Sequence, residues 1–356
     1  MTDVIVTGGG SGGHVTPAVA VAEALQRNNL GVLFVGSNSG LEEALVKPSS
    51  LAYRGISAGK LRRYFSLQNL LDVFRVLLGL VQAIVLVGRE RPHVVFSKGG
   101  FVAFPVVVAA WLWRIPVVAH ESDSTQGLAN RLSAPFIKTL CTGFPDTDAQ
   151  GFKGRLVYTG APIRPALLEG NPRAGRTLLS VAEGRGVLLI TGGSLGADAL
   201  NACIVESLPA LNKLGWFVVH VCGPGKQRAE PSANYAAFDY VAEDWADILA
   251  AADMVIARAG ANTVFELLAL KKPNLLIPLP ATGSRGDQID NAAYSKTGGY
   301  SRVLAQAELS SERLLQEITS LQQDLDQVHK QLASFEVPDA VAAIVVELER
   351  FLPKAQ

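Results

Sequence analysis

Two stretches of this sequence follow one plan. "DVIVTGGGSGGHVTPAVAVAEAL", from residue 3, and "GVLLITGGSLGADALNACIVESL", from residue 186, each run from an apolar segment through a glycine cluster into a helical pattern. A strand that is apolar almost without a break is buried on both faces, as in a parallel sheet covered by helices. Further candidates are "GVLFVG", "HVVFSKG", "IPVVAHE", "KTLCTG" and "LVYTGAP" in the first half, and "FVVHVCG", "DYVA", "DMVIARAG" and "PNLLIPL" in the second. The expected fold is α/β, with two doubly wound, Rossmann-like domains facing across a cleft. The chain's 356 residues suit two such cores better than one. The Pro/Gly-rich stretch "TGAPIRPALLEGNPRAG" marks the boundary, giving domains 1–162 and 163–336. A last amphipathic helix, within 337–356, is expected to pack back on the first domain. The runs "VLLGLVQAIVLVG" and "FVAFPVVVAAWLW" fall short of the roughly 20 residues that span a bilayer and read as core helices.

Charge narrows the function. Lys plus Arg and Asp plus Glu number 32 each, and this balance excludes the broad basic surface that nucleic-acid binding requires. Cys141, Cys203 and Cys222 lie apart in apolar stretches, which reads as free buried thiols in a reducing compartment. No His/Cys/Asp cluster has metal-ligand spacing, so no metal is expected. Met1-Thr2-Asp3 leads straight into the first strand, so the expected location is cytoplasmic, with contact to a membrane surface left open.

In doubly wound sheets, ligands bind beyond the carboxyl ends of the strands. At the first such end, the amides of Ser11, Gly12 and Gly13 and the following helix dipole favour negative charge, although such glycines also serve simple close packing. Thr16-Pro17 reads as an N-cap and first helical residue. The glycine order is not G-x-G-x-x-G and no acidic residue ends "GVLFVG", which disfavours a nicotinamide cofactor. His14 is either a capping or core histidine, or a neutral imidazole able to accept a proton. Ser194, Gly196 and Ala197 open a helix that carries Asn201, an arrangement suited to a diphosphate or to helix packing. Arg258 precedes Gly260, Ala261, Asn262 and Thr263, which enter a helix with Glu266 in its expected first turn. A carboxylate there can accept both ribose hydroxyls or simply face the dipole. "PLPATGSRGDQIDNA" carries Asp287, Gln288 and Asn291, a sugar wall or a plain surface loop. "VVAHESDSTQGLANRL" puts His120, Glu121 and Asp123 behind a buried strand, as a polar helix entry, an acceptor-sugar holder or acid/base machinery. His93, His220 and His329 read as structural or surface residues. Finally, Lys60, Arg62, Arg63 and Arg75 alternate with Tyr64, Phe65, Leu67, Leu70, Leu71 and Phe74. That is either a half-buried helix with solvated cations or a patch for anionic lipid.

Taken in order, "GGGSGGHVTPAVAVAEAL", "SKGGFVAFPVVVAA", "HESDSTQGLANR", "TGAPIR", "TGGSLGADALN", "RAGANTVFELLAL" and "SRGDQIDNA" resemble the MurG family of glycosyltransferase family 28 over nearly the whole chain. The resemblance implies a GT-B fold and inverting transfer of N-acetylglucosamine in peptidoglycan synthesis. On that resemblance the donor would be UDP-N-acetylglucosamine, and the acceptor the 4-hydroxyl of undecaprenyl-diphospho-N-acetylmuramoyl-pentapeptide. It also implies no cofactor, no essential metal and a peripheral position on the cytoplasmic face of the cell membrane, beside other cell-wall synthesis proteins. By motif, Arg164, Ser194 and Asn201 would hold donor diphosphate and sugar, the backbone at Ala242 would read uracil, and Ala261 to Glu266 would take diphosphate and ribose. Arg258 joins the donor side, and Asp287 and Gln288 would meet the sugar hydroxyls. Ser11, Gly12, Gly13 and His14 would face the acceptor, with His14 the favoured base and Asp123 and Glu121 its rivals. Lys60, Arg62, Arg63, Phe65 and Phe74 are the expected membrane contacts. Ser11 stands where the family commonly has threonine, Asp123 and Ala161 where it has asparagine, and Asp287 where it has glutamine. Asp123 matters most, because it adds a charge where an amide usually meets sugar. Two other classes stay open: another GT-B enzyme, such as a diacylglycerol glycosyltransferase or a UDP-sugar epimerase, and a non-catalytic sugar-nucleotide- or lipid-binding subunit.

Overall fold

The computed structural model describes residues 2–38, 40–59, 67–227, 229–282 and 285–353, with backbone alone for 67–73. The chain forms two compact units, Met1–Arg164 with Pro338–Gln356, and Pro165–Val337.

The first unit begins β1 (Val4–Thr7), α1 (Gly12–Arg27), β2 (Val32–Ser37), α2 (Glu42–Val46), β3 (Ala52–Ile56) and α3 (Leu67–Glu90). It continues β4 (Val94–Ser97), α4 (Ala103–Leu112), β5 (Val117–Glu121), α5 (Leu128–Ser133), β6 (Thr139–Thr142) and β7 (Arg155–Tyr158). All seven strands are parallel, in the order β3-β2-β1-β4-β5-β6-β7. Side chains alternate across the sheet, so β1 sends Val4 and Val6 to the layer with α1 and Ile5 to the layer with α3 and α4. Both layers are closed, and β1, β2, β4 and β5 are buried at every position.

The second unit holds α6 (Pro165–Leu168), α7 (Pro172–Leu178), β8 (Gly186–Thr191), α8 (Asp198–Lys213), β9 (Trp216–Val221), β10 (Tyr235–Phe238) and α9 (Trp245–Ala251). After these come β11 (Met254–Ala257), α10 (Ala261–Ala269), β12 (Asn274–Leu276), α11 (Asp287–Thr297), β13 (Arg302–Val303), α12 (Ser311–Gln323) and α13 (Leu325–Ser334). Its parallel sheet has the order β10-β9-β8-β11-β12-β13. The last helix, α14 (Ala340–Glu349), adds Ile344, Val345 and Leu348 to the α1 side of the first unit's core. Its Glu347 accepts from Arg155 Nε and Nη2 at 3.0 and 3.1 Å.

Three local expectations are corrected, and one strand, β3, is added. "DYVA" follows a strand rather than forming one: the edge strand is Tyr235–Phe238, where small alanines weaken the apolar signal. The edge strand β3 alternates exposed and half-buried positions and lacks the continuous apolar run of the central strands. α1 starts at Gly12 on an extended Ser11 (φ −156°, ψ 157°), so Thr16 and Pro17 lie inside it. His14 and Val15 donate to the Ser11 carbonyl, and two leading glycines let the chain turn directly into the helix. Lastly, α3 is not wholly core. Gly79, Ala83 and Val87 face inward, while Phe74, Leu77, Leu78, Val81 and Val85 are between 52% and 65% exposed. Trp111, Leu112 and Trp113 at the end of α4 are exposed as well. Among the described residues no helix is long and apolar enough to cross a membrane.

Candidate active site

In the first unit, β1, β4 and β5 are neighbours, so their carboxyl ends bring three loops together. The β1 and β4 loops touch backbone to backbone. Gly9 N–H donates to the Gly99 carbonyl at 3.3 Å, and a Cβ on Gly100 (φ +87°) would stand 1.9 Å from the Gly9 oxygen. Only glycine fits there. Ser11, Gly12 and Gly13 are the cap and first two residues of α1, and no Ser11 side-chain bond closes that end. Their amides and the dipole therefore lie at the terminus itself, one turn earlier than Thr16-Pro17 suggested. His14, half-buried, is the third residue of the helix.

Two residues that sequence reasoning passed over brace these loops. Glu42 of α2 is fully buried; its carboxylate accepts from Gly10 N–H at 2.8 Å and from Ser37 Oγ at 2.7 Å. Lys98 is buried just past β4, and its Nζ donates to Ser122 Oγ at 2.5 Å. Nothing near Glu42 in "GLEEALV" distinguishes it from a solvated helix-start carboxylate, whereas Lys98 sits between a strand and two glycines, a position open to notice.

At the end of β5, Glu121 is a builder of its own loop. Its carboxylate accepts from Asp123 N–H, Gly127 N–H and Asn130 Nδ2 at 3.2, 2.8 and 2.9 Å. His120 is fully buried, with Nε2 donating to the Gly160 carbonyl at 2.8 Å. Burial and the neighbouring Lys98 charge hold its pKa well below the ordinary value, so the ring stays neutral. Asp123 is half-exposed on this loop. Lys60, Arg62, Arg63 and Phe65 lie outside the described residues; Phe74 is on the exposed stripe of α3. Arg164 is exposed and ends the first unit.

In the second unit the neighbouring strands β9, β8, β11 and β12 again end together. The β8 loop carries exposed Ser194 to the start of α8, and a Cβ on Gly196 (φ +68°) would meet the Cys222 carbonyl at 1.9 Å. Asn201 is fully buried: its Nδ2 donates to the Cys222 carbonyl at 2.8 Å and its Oδ1 pairs with His220 Nε2 at 3.0 Å. It holds two loops in register and has no surface to offer a ligand. Arg258 is likewise spent, donating to the Ile277 and Pro278 carbonyls and to Gln306. α10 begins on Gly260 with no side-chain cap, with Ala261 buried and Asn262 and Thr263 half-exposed at its first turn. Glu266 is in the second turn, because the helix starts immediately after Gly260. Asp287 and Gln288 open α11; Gln288 Oε1 accepts from Leu279 N–H at 2.9 Å, while Asp287 pairs with Arg285 at 3.8 Å. Asn291 Nδ2 donates to the Ala259 carbonyl at 3.1 Å, tying α11 to the β11 loop. Ala242 lies exposed just ahead of α9. The three cysteines are free and buried, and burial pushes the Cys141 thiol up to about 12. Among the described residues no group of three or more His, Cys, Asp or Glu could hold a metal ion.

The glycosyltransferase family 28 N-terminal domain matches residues 4–142 and the C-terminal domain of the same family matches residues 187–344. A Legionella pneumophila (strain Paris) relative is 44% identical over 346 residues, covering 96% of this chain and 95% of its own. A Clostridium kluyveri relative is also 44% identical, covering 99% of this chain and all of its own. Both carry the name UDP-N-acetylglucosamine--N-acetylmuramyl-(pentapeptide) pyrophosphoryl-undecaprenol N-acetylglucosamine transferase. The crystal structure of Acinetobacter baumannii MurG is similar at a TM-score of 0.74 and 27% identity, over 98% of this chain and 99% of that one. A putative UDP-N-acetylglucosamine 2-epimerase from Listeria monocytogenes reaches 0.71 at 11% identity, a likeness of fold alone. With both domain types present in order and such relatives along nearly its full length, this chain belongs to glycosyltransferase family 28.

Proposed function

We propose that the chain transfers N-acetylglucosamine, with inversion, from UDP-N-acetylglucosamine to the 4-hydroxyl of undecaprenyl-diphospho-N-acetylmuramoyl-pentapeptide. The observation that carries this reading is the 44% identity, over nearly the whole chain, to relatives named for that transfer. The geometry suits it. The acceptor's diphosphate lies at the amino terminus of α1, on Ser11, Gly12 and Gly13. There the nearby hydroxyl gives its proton to His14 as it attacks the anomeric carbon. The departing UDP gathers negative charge, which the amide ends of α8 near Ser194 and of α10 at Ala261–Thr263 stabilise, and Arg164 is a further cation for the diphosphate. Glu266 takes the ribose, the backbone at Ala242 the uracil, and Asp287 and Gln288 the sugar hydroxyls. Asn201, Arg258 and Glu121 act from behind, by holding the loops in shape.

The chain meets the membrane through the outer stripe of α3, whose apolar residues are turned to solvent at helical spacing. The stripe supports a peripheral position on a membrane surface, and the transferase reading takes that surface to be the cytoplasmic face, where the lipid-linked acceptor is presented.

The test is transfer of labelled sugar by the purified full chain to lipid-linked muramoyl-pentapeptide, beside diacylglycerol and beside no acceptor. Labelled disaccharide on the polyprenyl carrier is expected, and His14→Ala should lower kcat by about 100-fold or more. Label in diacylglycerol, or an epimerised sugar without any acceptor, overturns the reading; near-normal turnover of the variant removes His14 as the base.

A further inference from the structure

Lys98 is the only lysine buried among the described residues, at 1% exposure. Taking an ammonium out of water is costly unless partners offset it. Its Nζ donates to Ser122 Oγ at 2.5 Å, and Glu121 and Asp123 are the charges that favour its protonated form. Three N–H groups hold the Glu121 carboxylate within its own loop. The ammonium's direct contact is Ser122, the residue between Glu121 and Asp123, and Asp123 is half-exposed on the same loop. Burial outweighs both carboxylates and lowers the Lys98 pKa to about 8.

The surroundings contain little else that titrates. β5 contributes His120, which stays neutral, besides Glu121. α5 contributes the amide of Asn130 near Gly99, and the β1 turn only Gly8, where an added Cβ would meet Lys98 at 3.0 Å and the His14 carbonyl at 3.1 Å. Glu42 of α2 is turned to Gly10 and Ser37.

We propose that Lys98 is a positioning residue for the acceptor side of the reaction: its buried ammonium holds Ser122, and with it the β5 loop that carries Asp123, and turnover requires that charge. This rests on the transferase reading above. A lysine that merely fills space can be replaced by methionine without changing how the rate depends on pH. One that supplies charge cannot.

The experiment measures kcat against pH, with both substrates saturating, for the full chain and for Lys98→Met and Lys98→Arg. In the unsubstituted chain kcat should fall above about pH 8. Lys98→Met should lose on the order of 100-fold in kcat with the donor KM little changed, and its profile should show no break near that pH. Lys98→Arg should recover part of the rate with the break moved upward, since guanidinium stays charged. A folded Lys98→Met with full kcat overturns the proposal, as does a break near pH 8 that survives in either variant. If Lys98→Met lacks a melting transition, the other two proteins decide. A flat profile of the unsubstituted chain between roughly pH 7 and 9.5 then overturns it. No transfer by the unsubstituted chain sinks the transferase reading and this proposal with it. Transfer that ignores Lys98 sinks this proposal alone.

Discussion

Asn201 and His220 show how a polar residue at a strand end can be fully spoken for. His220 is buried between the Asn201 carboxamide and the Tyr235 hydroxyl, at 3.0 and 3.1 Å, and burial lowers its pKa to about 4. In the unfolded chain the same ring protonates near 6.5. Between those values the unfolded state binds the extra proton, so stability must fall as pH falls from 6.5 towards 4. At pH 5 the loss from His220 should be about 2 kcal/mol, and buried His120 acts in the same direction. Urea midpoints at neutral and mildly acid pH measure this, and a midpoint that holds steady refutes it. At this scale the sequence showed which residues stand at strand ends, but not which are available. His220 carries no sign in "FVVHVCG" of its partners, one on the preceding helix and one on the next strand.

α3 and the glycine loops belong to the scale of the element. The spacing of "FRVLLGLVQAIVLV" predicts a helix, and its outer stripe of Phe74, Leu77, Leu78, Val81 and Val85 repeats at helical intervals. An apolar run reads alike whether its second face meets protein or lipid, so the sequence alone suggested a core helix. Serine at Leu77, Val81 and Val85 should weaken association with anionic phospholipid vesicles by on the order of tenfold or more, while the melting temperature stays put. Co-sedimentation checks it, and unchanged binding would move the lipid contact elsewhere. α1 also starts earlier than Thr16-Pro17, a good cap in isolation, predicts. Packing of Gly9 against Gly99 and Gly100 places the turn earlier.

For the whole molecule, the chain leaves the first unit at Arg164 and returns to it at Pro338. Ile344 and Leu348 are fully buried in that unit's core, and Glu347 pairs with Arg155 of β7. Ending the chain at Val337 removes these groups and bares the α1 surface they cover. Each lost core side chain typically costs about 2–5 kcal/mol. Differential scanning calorimetry should therefore show the first unit's transition lowered by several degrees, and the second unit's unchanged. Equal shifts in both would contradict the division.

The repeated plan of apolar strand, glycine turn and helix was legible from residues alone, because periodicity and turn chemistry are written in contiguous sequence. It determined the fold class, the parallel sheets and the strand ends that carry the loops. The tertiary structure decided which polar groups there are spent and which are not. It consumed Asn201, Arg258 and Glu121 in bracing, and buried Lys98 and Glu42 beneath the α1 loop. Burial and hydrogen-bond partners come from segments far apart along the chain, and no local pattern encodes them.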